Sequence, residues 1–153
     1  MEQNNILALD LGTTMGWAAY CSGDINSGKI SFKGSRYEGG GMRFLRLKMW
    51  LEEIYTLLGD VNAVYYEEVR RHLGTDAAHL YGGFLATLSS WCEQKGIPYT
   101  GIPVATIKKN ITNKGNASKK DVIGAIKAKG YDPSDDNEAD AIAILLCAIE
   151  PTR

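Results

Sequence analysis

The chain is short of most features that would settle its class at once. None of its apolar runs approaches the roughly 18 residues that a membrane-spanning helix needs, and the polar start MEQNN is not a signal peptide. A cytoplasmic protein is the expectation. Cysteine is scarce: Cys21, Cys92 and Cys147 lie inside hydrophobic periods with no CxxC pair. That excludes a disulfide framework and reads as three reduced thiols in or beside the core. The two histidines, His72 and His79, have no nearby cysteine and do not suggest zinc. Internal repeats, low-complexity tracts and linkers are all missing, so 153 residues imply one domain, 1–153, with one core. Net charge is nearly absent too, at −1, and taken alone gives no electrostatic footprint for nucleic acid.

The distribution of charge says more than its sum. Between Lys108 and Lys129 stand seven lysines against the single acid Asp121. Acids instead interrupt apolar sequence at three distant places. NILALDLGTT carries Asp10, AVYYEEV carries Glu67 and Glu68, and DDNEADAIAILL carries Asp136, Glu138 and Asp140. Burying such a carboxylate unpaired would cost several kcal/mol. Divalent cations relieve that cost, because hard oxygen ligands suit Mg²⁺ or Mn²⁺. Acids that gather metal ions beside a lysine-rich segment suit chemistry on a polyanion, and the reading is a metal-dependent phosphoryl-transfer site.

Periodicity supplies the scaffold. ILALDLG reads as a central strand covered on both faces. GTTMG should turn into a second strand, WAAYC; SGD and NSG punctuate, and KISFKG is the third. MRFLRLKMWLEEIYTLL is a helix in which Met42, Leu45, Met49 and Leu57 recur at helical spacing. AVYYEEV is a fourth strand, and AAHLYGGFLATLSSWCEQKG a long helix closed by Gly96. Its Gly82-Gly83 pair marks a close approach of another backbone. IPYTGIPV is a fifth strand, followed by helices over ATIKKNI, over SKKDVIGAIKAKG with Ser118 or Asn116 as its cap, and over NEADAIAILLCAIE. Trp17, Trp50 and Trp91 fall in apolar periods and are expected in the core. The order predicts an α/β fold, a mixed five-stranded sheet with helices on both faces. In one possible register Asp10 and Glu67 lie on adjacent central strands.

Taken in order, ALDLGTTMGWA, VYYEEV, TIKKNITNKGNASKKDV and NEADAIAIL resemble the RuvC-type Holliday junction resolvases of the ribonuclease H-like fold, particularly their small phage-borne members. The resemblance covers nearly the whole chain. It implies a homodimeric endonuclease that resolves four-way or other branched DNA by paired nicks, with two Mg²⁺ ions per site and Mn²⁺ able to substitute. By it Asp10 bridges the ions, Glu67 matches the mid-chain glutamate, and Asp140 matches the aspartate before the apolar tail of the last helix. Strand alternation sends Glu68 to the opposite face. Lys108 and Lys119 match two lysines of the DNA-contacting segment, with Lys120 adjoining.

Two departures stand out. Where the family often has an acid three residues before the helix aspartate, this chain has Asn137; Asp136 lies on the same helical face as Asp140 and can replace it, while Glu138 should point elsewhere. The fourth ligand is therefore Asp136 or Asn137. Arg70, Arg71 and His72 occupy the stretch in which the family has an aromatic residue, so phosphate or base contacts would take the place of stacking. DLGTT also occurs in actin-like kinases and chaperone ATPases, where it holds ATP phosphates. An ATP-binding lobe is thus one alternative, and a protein that binds branched DNA without cutting it is another.

Overall fold

The computed structural model describes residues 4–72 and 74–151. Three strands open the chain: β1 (Ile6–Asp10), β2 (Thr14–Cys21) and β3 (Asp24–Ser31). Consecutive members pair antiparallel, and Cys21 opposite Asp24 leaves a two-residue turn. Ser22 and Gly23 both take positive φ there, as a tight turn matching the strand twist requires. NSG therefore lies inside β3 rather than ending a loop, since the turn needs only those two residues. Helix α1 (Met42–Leu58) leads to β4 (Ala63–Glu68), and helix α2 (Thr75–Lys95) to β5 (Tyr99–Pro103). β4 pairs parallel with β1 and with β5, giving the order β3-β2-β1-β4-β5. Helices α3 (Val104–Thr112), α4 (Lys119–Ala128) and α5 (Asp136–Ile149) complete the chain.

This is the expected mixed five-stranded sheet with helices on both faces. Alternation along β1 assigns the faces: Leu7 and Leu9 pack with Leu47, Leu51, Phe84, Leu88 and Trp91 of α1 and α2. Ala8 of β1 and Ala18 of β2 pack instead with Ile107, Val122, Ile126 and the apolar run of α5. Those two small residues let α5 lie close on the sheet. It is accordingly buried from Ala141 through Leu146, as a helix apolar on all sides should be.

Two local expectations change. The buried stripe of α1 is Leu47, Leu51 and Ile54, whereas Leu45, Met49 and Leu57 are exposed; two apolar stripes share this helix, and packing against α2 selects one. Gly83 is approached by a side chain, not a backbone: a Cβ there would stand 2.4 Å from the Phe44 ring, and Gly82 has open space. The close backbone approach lies at Gly16, inside β2, where a Cβ would fall 1.8 Å from the Asn137 carbonyl oxygen. Of the tryptophans, Trp91 is fully buried, while Trp17 and Trp50 lie partly buried against each other with ring centroids 5.9 Å apart. The three cysteines are free thiols. Among the described residues no helix is long and apolar enough to cross a membrane.

Candidate active site

Parallel pairing of β1 with β4 sets Leu9 opposite Tyr66, so Asp10 and Glu67 stand together one residue further on, at the same end of the sheet. Alternation places Asp10 on the face of Ala8, under α5, and Glu67 on the face of Tyr65, which packs in the same cluster. Glu68 goes to the other side, where it pairs with Arg70 at 3.4 Å. From above, the first turns of α5 bring Asp136, Asn137 and Asp140 to Asp10 and Glu67, around a cavity of about 310 Å³. Lys108 of α3 and Lys119 of α4 reach its rim, and Val104 and Val122 supply an apolar wall.

Lys119 owes its place to the start of α4. Ser118 is the cap, its hydroxyl accepting the Asp121 N–H at 3.1 Å while Asp121 accepts the Ser118 N–H, a complete capping box. Lys119 is thus the first helical residue, and its Nζ lies 3.2 Å from Asp136 Oδ2. The pair is largely solvent-facing, so its own stabilisation is small, about 1 kcal/mol or less. Its consequence is placement of an ammonium at the edge of an acidic cavity.

Electrostatics single the cavity out. Burial, then the carboxylates of Asp140, Glu67 and Asp136, push Asp10 up to about 8, with Lys119 opposing. Burial, then Glu67 and Asp136, push Asp140 up to about 7 against the pull of Lys119 and Lys108. Burial also raises Glu67, while Lys108 and Lys119 lower it. Like charges held in a desolvated space resist ionising together.

Among the described residues no three His, Cys, Asp or Glu side chains already close on a single cation position. The acids surround the cavity instead. As a donor set they nonetheless fit divalent metal: every acid there is a hard oxygen ligand, and a cation would offset the burial and then the repulsion that raise Asp10 and Asp140.

Asp10, Glu67, Asp136, Asp140, Lys108 and Lys119 are therefore brought to one place, and Asn137 with them. Asn137 is partly engaged, its Nδ2 donating to Asp135 Oδ2 at 3.1 Å. Arg70 and Arg71 are not in the cavity; they line a neighbouring hollow with Glu68, Val69, Pro103 and Val104, sharing Val104 with the first. Lys120 lines a separate hollow with Lys114 and Asp121. His72 packs against the Tyr81 ring at 5.0 Å. Sequence reasoning missed Ser27, which donates to Glu138 Oε2 at 2.7 Å across 111 residues of chain. A lone serine in a strand carries no signal of so distant a partner.

A mixed five-stranded α/β domain with an acid-lined cavity at one end of its sheet is the class these features define. Comparison with solved structures narrows it. Thermus thermophilus RuvC in complex with a Holliday junction substrate superposes with a TM-score of 0.78 at 21% identity, over 94% of this chain and 91% of that one. A further Thermus thermophilus RuvC structure gives 0.71 at 21%, over 93% and 91%. The yeast mitochondrial Holliday junction resolvase gives 0.63 at 12%, over 92% and 75%. No protein-family model matches the chain, and no curated protein matches it in sequence. The fold is that of the RuvC resolvases over nearly the full length of both chains.

Proposed function

We propose that this chain is a divalent-metal-dependent endonuclease that resolves four-way junctions, and other branched DNA, by paired nicks. One observation carries the reading: three elements far apart in sequence deliver Asp10, Glu67, Asp136 and Asp140 to a single cavity rimmed by Lys108 and Lys119. Acids at a DNA-facing surface repel phosphate unless metal neutralises them, so the acids and lysines make sense together only with ions present. The protein with TM-score 0.78 holding a Holliday junction supports the choice of substrate.

Mg²⁺, with Mn²⁺ as substitute, would be held by Asp10, Glu67, Asp140 and Asp136, the acids that line the cavity. Asp136 is preferred to Asn137 as the fourth ligand because it brings charge. When bound, such ions would supply Lewis-acid stabilisation of a phosphodiester and lower the pKa of water. The chain itself supplies the rest. Lys119, its stem fixed at the start of α4, donates to the charge that develops on phosphorus oxygens. Lys108 holds the adjoining phosphate, and Arg70, Arg71 and Lys120 extend the path of the DNA backbone beyond the cavity. A homodimer belongs to this proposal, because symmetric nicks on opposing strands need two sites related by a two-fold axis.

The test is cleavage of synthetic four-way junctions with and without Mg²⁺, alongside calorimetry with ATP. Mg²⁺-dependent paired nicking is expected. Tight ATP binding that needs Thr13 and Thr14, combined with no cleavage, would replace this reading by an ATP-binding lobe.

A further inference from the structure

The proposed chemistry leaves one buried charge without a role. Glu138 is only 8% exposed, in the first turn of α5 between Asp136 and Asp140. At about 100° per residue, positions two apart on a helix point to nearly opposite sides. Asp136 and Asp140 line the cavity, and Glu138 turns instead to β3 at the sheet edge. There its Oε2 accepts the Ser27 hydroxyl at 2.7 Å, and its Oε1 accepts the Ser134 N–H and hydroxyl, both at 2.9 Å.

Helix capping does not account for this arrangement. The cap is Asp135, whose Oδ1 accepts the Glu138 N–H at 2.9 Å. In a capping box the glutamate would return to the N–H of the cap residue; here it reaches one residue further back and across to another strand. An ionised carboxylate in such a place costs several kcal/mol before its hydrogen bonds offset it, and an apolar residue would hold the helix more cheaply. What the carboxylate adds is direction. Beneath it, Gly16 lets the Asn137 carbonyl settle on β2, which sets how closely the helix approaches the sheet. The Ser27 bond ties that turn to β3 and so sets its rotation, the two Ser134 bonds hold the carboxylate in place, and Lys29 of β3 adds a second tie to the sheet through Asp135 at 3.5 Å.

We propose that Glu138 is a positioning residue: through Ser27 and Ser134 it sets the rotation of the first turn of α5 over Gly16, and so presents Asp136 and Asp140 to divalent metal. This rests on the metal-dependent reading of the cavity. Loss of a partner that orients metal ligands typically weakens metal binding about 10–100-fold.

The experiment is Mn²⁺ titration by calorimetry with the full chain, together with melting temperatures and junction-cleavage kinetics. Glu138→Ala should weaken Mn²⁺ binding about 10–100-fold and lower kcat in step, with KM for the junction within about twofold. Glu138→Gln, which can still accept from Ser134, should recover part of the affinity. Ser27→Ala should move the same way by less, and carries the test should Glu138→Ala fail to fold. Leu88→Ala, in the opposite core, should lower the melting temperature yet leave Mn²⁺ affinity intact. Unchanged Mn²⁺ affinity in Glu138→Ala and Ser27→Ala, or an equal loss in Leu88→Ala, would overturn the positioning role alone. Absence of both Mn²⁺ binding and cleavage in the unsubstituted chain would overturn the metal reading and this inference with it.

Discussion

Asp10 sits where burial and three other carboxylates act on one group, and its behaviour follows from that crowding. Asp10→Asn keeps the shape and every basic contact while removing the central charge. Cleavage should fall more than about a hundredfold, beyond the loss typical of a partner outside the ligand set, with junction binding retained in a gel-shift assay. Glu67→Gln should lose far more activity than Glu68→Gln, since the first faces the cavity and the second faces Arg70. The reverse ranking in a cleavage assay would remove Glu67 from the site. Titration gives another expectation. Asp10 is raised from 3.8 to about 8 and Asp140 from 3.8 to about 7. An acid raised on folding binds its proton more tightly folded than unfolded, so stability declines as pH climbs between the two values. In chelator the melting temperature should drop from pH 5.5 to pH 8, Asp10→Asn should flatten that slope, and Mn²⁺ should restore stability at pH 8. A flat profile in the unsubstituted chain would contradict the crowding.

Among the elements, α5 depends most on what lies beneath it. Its approach to β2 is possible because residue 16 has no side chain, and the atom in the way is backbone. Gly16→Ala must move the strand or the helix, and should destabilise by about 3 kcal/mol or more, at the upper end of overpacking. Gly83→Ala first meets the Phe44 ring, a side chain rather than backbone, and should cost less. Chemical denaturation of both variants checks the order, and cleavage by any folded Gly16→Ala should be depressed as well, because the same shift displaces Asp136 and Asp140. Helix α1 shows the limit of reading an element by itself. Met42, Leu45, Met49 and Leu57 make a plausible apolar stripe, yet Leu47, Leu51 and Ile54 are the buried ones. Periodicity identifies a helix; it does not choose between two stripes of similar hydropathy.

At the scale of the whole molecule the arrangement is one of charge sorted by depth, with acids inside the cavity and lysines at its rim and on the helices around it. On the proposed reading, DNA should bind through the rim and react in the cavity. Lys108→Ala should weaken junction binding and make the logarithmic salt slope shallower by about 0.9, one phosphate contact. Lys119→Ala should instead lower turnover at saturating junction by about 10²–10³-fold, the loss typical of a donor to developing charge. Equal effects of both on binding alone would place Lys119 among the phosphate contacts.

Much of this protein is present in its sequence because the interactions that specify it are local or periodic. Alternation in ILALD and AVYYEE fixes which face each acid takes, the start of α4 is narrowed to a cap at Ser118 or Asn116, and the order of strands and helices limits the sheet to few topologies. Acids within apolar runs mark the site, since desolvation makes an unpaired carboxylate expensive wherever it is buried. Tertiary structure alone decided what depends on residues distant in sequence. That Gly16 admits the Asn137 carbonyl, that Ser27 meets Glu138 across 111 residues, and that Arg70, Arg71 and Lys120 stand outside the cavity are facts of packing. No periodicity records them, because each is set by how closely two complete elements can approach.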